Sequence, residues 1–265
     1  MHATTPEFGV LLRHWREARR FSQLDLALQA EVSSKHVSFL ETGRNHPSRE
    51  MILRLSQAMD IPLRDRNALL NAAGFAAAYR ESTSGAPAVE QAEEALARIL
   101  AKQEPYPAIV LDADWELLRR NEGARALAEF LLPGSSAGTG NALEMLFAAE
   151  GLMPFVGNWE QLAPVLLMRL WRETLQPGCS EQRRQLFRRL DAMPTTPTNW
   201  RELAGSLPTG PTIDLVLEKD GVRFAFFTTV TTFGTPQDVM LQELRMESYF
   251  PSDDATRELC RSWAT

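Results

Sequence analysis

Residues 22–48 read SQLDLALQAEVSSKHVSFLETGRNHPS, and the spacing inside this stretch decides how the N-terminal third of the chain folds. Ser22 followed three residues later by Asp25 is a capping-box pattern, so a helix starts there, with an apolar stripe of Leu24, Ala27 and Leu28. Ser33 is placed to cap a second helix whose Val37 and Leu40 point inward, and Gly43 fits the left-handed residue that ends it. Between the two helices only a short turn remains. Ala27 is small where they must approach, Val32 and Val37 fill the wedge, and Leu40 anchors the second helix to a core. The residues left over, Ser33, Ser34, Lys35, His36 and Phe39, face outward. Such a pair is the geometry in which the second helix enters a major groove of DNA while the first crosses the backbone.

The pattern extends in both directions. Phe8, Leu11, Leu12, Trp15 and Ala18 repeat at helical spacing before it. After it, Pro47 and Ser48 open a helix carrying Ile52, Leu55 and Met59, and another follows Pro62 with Leu69 and Leu70. Residues 1–80 therefore read as a five-helix, all-α domain. Its charge supports a polyanionic partner: residues 1–80 sum to +3, whereas the remainder carries −9 of the chain's net −6.

The stretch 22–48 resembles the lambda repressor-like helix-turn-helix of XRE or Cro-like regulators. The resemblance implies that Gln23 contacts phosphate at the start of the second helix of the domain. It also implies that Ser33, Ser34, Lys35 and His36 lie at the DNA-facing end of the recognition helix; Phe39, on the same outward side, is a candidate for contact with a thymine methyl. Arg44, Asn45 and Arg49 would then approach the DNA backbone. One departure is visible, since Glu31 stands in the helix–helix turn where the family often has glycine.

The second part of the chain has a different period. Residues 81–90, ESTSGAPAVE, read as a linker, and a helix is expected over about 88–103. YPAIVLDADWELLRRN suggests two strands joined by a tight turn at Asp112–Asp114, followed by a helix over Glu122–Leu131. The loop PGSSAGTG precedes a helical section spanning about 141–204. Ile213, Leu215 and Leu217 alternate against Val222, Phe224 and Phe226 across Asp220-Gly221, which is a hairpin signal. A strand near Val239–Glu247 and a final helix from about Ser252 complete residues 91–265 as an α+β domain with helices inserted between two strand groups.

Catalysis is poorly supplied. All four histidines, His2, His14, His36 and His46, fall in the first 46 residues, so residues 91–265 contain no histidine for a Ser-His-Asp or Cys-His site. The two cysteines, Cys179 and Cys260, form no CxxC pair, and no glycine-rich phosphate loop follows a strand pattern. The reading is a non-enzymatic protein without cofactor or metal, cytoplasmic, and with no apolar run long enough to span a bilayer.

Trp159, Leu162, Leu166, Leu170 and Trp171 share one side of a helix, and Phe147, Phe155, Phe187, Phe224 and Phe226 add aromatic surface. An apolar chamber between a small sheet and covering helices is a common ligand site. VLDADWELLRRN and the closing TTFGTPQDVMLQELRMESYFP resemble the MmyB-type ligand-binding domain attached to many XRE-type regulators. That resemblance implies a PAS-like fold, with Asn121 opening the helix after the second strand, and a cavity for a fatty-acid-like or other hydrophobic small molecule. Candidate pocket residues are Phe147, Trp159, Leu162, Leu166, Arg169, Leu170, Phe187, Phe224, Phe226 and Thr228, with Arg169 and Arg183 as candidate partners of an acyl carboxylate. The expected protein is a homodimeric transcription regulator that binds a double-stranded DNA operator under control of that effector. Two other readings compete: a DNA-binding protein whose second domain serves only dimerisation or partner recruitment, and an enzyme with an appended regulatory module.

Overall fold

Short polar side chains start the helices of the N-terminal region. In a computed structural model that describes residues 6–81, 87–134, 140–176, 178–206, 214–234 and 236–263, the Ser22 side chain accepts from the Asp25 amide while Asp25 accepts from the Ser22 amide, a reciprocal capping box. Ser33 and Ser48 cap without that reciprocal bond, their side chains accepting from the His36 and Met51 amides. The elements that result are α1 (Pro6–Ala18), α2 (Gln23–Gln29), α3 (Ser34–Glu41), α4 (Arg49–Ala58) and α5 (Leu63–Ala72). Their core is Phe8, Leu12, Trp15, Leu26, Ala27, Val37, Leu40, Ile52 and Leu55 with their neighbours.

The stripe expected on α2 is corrected. Leu26, Ala27 and Ala30 face the core, whereas Leu24 is 58% and Leu28 70% exposed. The cap at Ser22 fixes the phase of the first turn, and at about 100° per residue that phase turns Leu24 and Leu28 outward. In the helix–helix turn, Glu31 takes φ +54° and Gly43 after α3 takes φ +70°.

The chain then builds α6 (Pro87–Gln103), β1 (Ala108–Leu111), β2 (Leu117–Arg120), α7 (Glu122–Leu131), α8 (Ala142–Phe147), a 3-10 turn at Met153–Phe155, α9 (Trp159–Thr174), α10 (Glu181–Asp191), α11 (Trp200–Ser206), β3 (Asp214–Lys219), β4 (Val222–Thr231), α12 (Val239–Glu243), β5 (Arg245–Pro251) and α13 (Asp254–Ser262). Residues 82–86 of the expected linker, residues 135–139 of the PGSSAGTG loop, and Ile213 lie outside the described residues. The five strands form one antiparallel sheet in the order β2-β1-β5-β4-β3. With its inserted helices, this is the α+β arrangement the sequence led us to expect.

Two local details fix this sheet. The β3–β4 hairpin pairs Leu215 with Phe226 and Leu217 with Phe224, and its two turn residues, Asp220 and Gly221, take φ +51° and +77°, the double left-handed turn that matches strand twist. Buried Asn121 caps α7 through the Ala124 amide, and its Oδ1 also accepts from the Ala108 amide at the start of β1, both at 2.9 Å. Gly123 beside it permits a backbone approach, since a Cβ there would lie 2.3 Å from the Pro105 carbonyl oxygen.

The strand expected at Val239–Glu247 is also corrected. Asp238 accepts from the Met240 amide at 2.9 Å and starts a helical turn, so pairing begins only at Arg245. The contacts of the chain define two compact units. The first comprises residues 6–81 together with 176, 178 and 236–242, and the second holds the rest. Within the first, Val239 N–H donates to the Arg80 carbonyl and the Leu63 amide donates to Gln242 Oε1 at 2.7 Å. That second bond satisfies an amide at the start of α5, where the N-cap residue Pro62 offers no side-chain acceptor. No helix among the described residues is long and apolar enough to cross a membrane.

Candidate DNA interface and effector cavity

The N-terminal surface is built around one buried acid. Glu41, at the end of α3, accepts from Arg16 Nε at 2.6 Å and Nη2 at 3.2 Å, and from Gln23 Nε2 at 2.8 Å. Arg16 also donates to the Phe21 carbonyl at 2.8 Å. This bidentate clamp ties α1, α2 and α3 together. Gln23 is thereby held at the first residue of α2 with its other amide proton left for an outside acceptor. Neither Arg16 nor Glu41 was singled out from sequence, although their charges lie on helix faces otherwise turned to the core.

Ser34 and Lys35 are exposed at the start of α3, with exposed Ser33 capping it and His36 half-buried. Phe39 is half-buried, one turn further on, and carries two cations over its ring: Lys35 Nζ at 5.5 Å and the Arg44 guanidinium at 5.7 Å. The Arg44 and Asn45 amides both donate to the Phe39 carbonyl, at 2.8 and 3.2 Å, which folds the exit loop back against the helix. Arg44, Asn45 and Arg49 are exposed. The structure thus gathers Ser33 to His36, Phe39 and Arg44 around α3. Gln23 lies at the start of α2 and Arg49 at the start of α4.

The second unit encloses a cavity of about 390 Å³, within the range of small-molecule sites. Its floor is the sheet, through Ile109, Leu111, Leu215, Leu217, Thr228, Glu247 and Tyr249, and its roof is α7 and α9. From α7 come Ala124, Leu127, Ala128 and Leu131, at i, i+3, i+4 and i+7, and from α9 Leu162, Val165, Leu166 and Arg169. Of the residues expected at a pocket, Leu162, Leu166, Arg169 and Thr228 line it. Phe147, Trp159, Leu170, Phe187, Phe224 and Phe226 do not. Trp159 packs edge-on against Phe147 at 4.7 Å and donates from its indole to the Thr195 carbonyl. Phe187 packs against Trp200, Leu170 lies in the same buried cluster, and Phe224 stacks on Phe226 at 6.1 Å. Their size suits the filled core between elements, and the chamber is left where smaller alanine and leucine side chains face the sheet.

Sequence reading named Arg169 at the polar end of this cavity but missed Trp115, Glu247 and Tyr249. Trp115 lines the wall with the guanidiniums of Arg245 and Arg169 lying 3.7 and 4.5 Å from its ring centre. Its indole donates to Glu173 Oε2 at 3.0 Å. Burial lowers the pKa of Arg245 and raises that of Tyr249 well above the usual tyrosine value, so the phenol stays protonated. Arg183 does not reach the wall; its Nε lies 3.3 Å from Asp114. The missed signal was the alternation of Arg245, Glu247 and Tyr249, three large polar residues on one face of a strand.

A helix-turn-helix domain model matches residues 7–69, and the MmyB-like transcription regulator ligand binding domain matches residues 92–262. No curated protein matches the chain. A solved RNA-binding light-oxygen-voltage receptor shares 13% identity and a TM-score of 0.28 over 97% of this chain, which spans 60% of the receptor's length. The match over residues 92–262 takes in more than half of the sequence, and the protein belongs to the family defined by the MmyB-like transcription regulator ligand binding domain.

Proposed function

We propose that the protein is a sequence-specific DNA-binding transcription regulator whose second unit senses a hydrophobic small molecule, fatty-acid-like in carrying an alkyl chain, and thereby modulates operator binding. The carrying observation is the pairing, in one chain, of a capped and exposed α3 with a 390 Å³ apolar cavity. In this reading α3 enters the major groove. Ser33, Ser34, Lys35 and His36 meet base edges, Phe39 meets a thymine methyl, and Gln23, Arg44, Asn45 and Arg49 hold phosphates. One short helix contacts few base pairs, so a homodimer on half-sites about 34–36 Å apart supplies the specificity. The effector shifts DNA affinity only as far as it binds the DNA-competent and DNA-incompetent states differently.

The test is a gel-shift titration against the DNA upstream of the protein's own gene, at several salt concentrations. A retarded band that weakens steeply with salt is expected, because phosphate contacts release counterions. Lys35→Ala is expected to weaken binding by about 1–3 kcal/mol on the preferred sequence and to relax discrimination at one base pair. Absence of a salt-dependent band on any sequence overturns the DNA-binding reading.

A further inference from the structure

Two stretches of the chain run from the cavity wall into the first unit, and both meet the first turn of α5. Helix α9 lines the cavity through Leu162, Val165, Leu166 and Arg169 and stops at Thr174; Gln176 and Gly178, just beyond it, belong to the first unit. Strand β5 lines the cavity through Glu247 and Tyr249. Leu244 alone separates that strand from α12, which belongs to the first unit as far as Gln242. The two stretches hold α5 differently. Gly178 lies so close to buried Asp65 that a Cβ on it would stand 1.4 Å from a carboxylate oxygen, which is a matter of packing. Gln242 Oε1 accepts from the Leu63 amide at 2.7 Å, and the start of α12 is fixed by the bond from the Val239 amide to the Arg80 carbonyl. Leu63 is only 5% exposed, so water is a poor substitute for Gln242 at that amide.

We infer that α12 is the output arm of the sensor: an effector in the cavity moves β5, and Gln242 carries that movement to the start of α5. The inference rests on the reading that the cavity holds a hydrophobic effector that modulates DNA binding. The arm is short and stiff. Asp238 accepts from the Met240 amide through its side chain and from the Gln242 amide through its carbonyl, at 2.9 and 3.1 Å, which closes the turn. On the other side of Leu244, Arg245 pairs with Leu111, itself a cavity residue. At the receiving end, Leu69 and Leu70 of α5 share one buried cluster with Leu12 and Trp15 of α1 and with Val37 and Leu40 of α3. The Arg16–Glu41 clamp joins α1 to α3 as well. A close-packed core passes a displacement on instead of absorbing it, so a shifted α5 alters how α3 is presented to DNA.

The experiment uses the delipidated full chain with decanoate as the probe. Isothermal titration reads decanoate binding, and fluorescence anisotropy reads binding to a duplex taken from the DNA upstream of the gene. Saturating decanoate is expected to change the DNA dissociation constant of the unaltered protein at least fivefold, the lower end of usual coupling between sites. In Gln242→Ala the change is expected to shrink below twofold, while decanoate alone still binds within twofold of its original affinity. Gln242→Glu, which keeps an acceptor oxygen for the Leu63 amide, is expected to retain the full change. A full change in Gln242→Ala overturns the inference and leaves the sensing reading in place. Its loss in Gln242→Glu as well overturns the role of the acceptor. Decanoate that fails to bind, or that binds without altering DNA affinity in the unaltered protein, removes the sensing reading and this inference together. Amide exchange in the unaltered protein decides the matter even where a variant fails to fold: exchange at Leu63 is expected to change at least fivefold with decanoate, and an unchanged rate overturns the arm.

Discussion

Glu31 sits in the turn between α2 and α3 with φ +54°, a region in which an L-residue with a Cβ is strained and glycine is not. Its side chain is exposed, so little packing offsets the strain. Glu31→Gly is therefore expected to stabilise the protein by about 0.5–1 kcal/mol, the steric relief exceeding the entropy glycine adds to the unfolded chain. Equilibrium urea denaturation checks this, and a lowered midpoint would show that the glutamate is held by its surroundings. The position was legible in sequence as a departure from the glycine often found there. The cavity wall was less legible. Leu162 and Leu166 followed from the stripe on one helix, but Glu247 and Tyr249 come from a strand whose inward face is partly polar. Hydrophobic periodicity is blind to such a face, because the signal depends on apolar residues pointing in.

Elements with their own start signals were readable to within a residue or two, and α7 and the β3–β4 hairpin are examples. The region around Asp238 was not, because the apolar run Val239-Met240-Leu241 suits either a strand or a helix and one side-chain cap decides between them. The last helix shows what such a cap contributes. Asp253 accepts from the Thr256 amide at 2.8 Å and lies 3.2 Å from Arg223, and the backbone bond is the main reason its pKa lies below the usual aspartate value. Asp253→Ala is expected to cost about 1 kcal/mol at neutral pH. Since the folded carboxyl has the lower pKa, its contribution is complete above the unfolded value and is lost as the pH falls through the folded one. The stability gap between the unaltered protein and the variant should close in acid, as followed by urea titration from pH 7 to 3. A gap independent of pH would assign the loss to something other than the ionised cap.

At the scale of the molecule, the contacts place a break close to residue 81, where composition suggests one, but they also add residues 236–242 to the first unit. Sequence distance hid this: the bond between Leu63 and Gln242 spans 179 positions, and no local pattern encodes it. Gln242→Ala in the full chain is expected to speed amide exchange at the start of α5 about fivefold, corresponding to roughly 1 kcal/mol for a lost helix-start acceptor. Exchange measured residue by residue checks this, and unchanged protection at Leu63 would assign that amide another acceptor. The shared segment has a consequence for inheritance. A gene fusion that joined the first 81 codons to an unrelated sensor would leave an acceptor for α5 behind. The two halves are thus not freely exchangeable cassettes, and recombination between such regulators is expected to preserve the stretch just before β5 together with the N-terminal helices it completes.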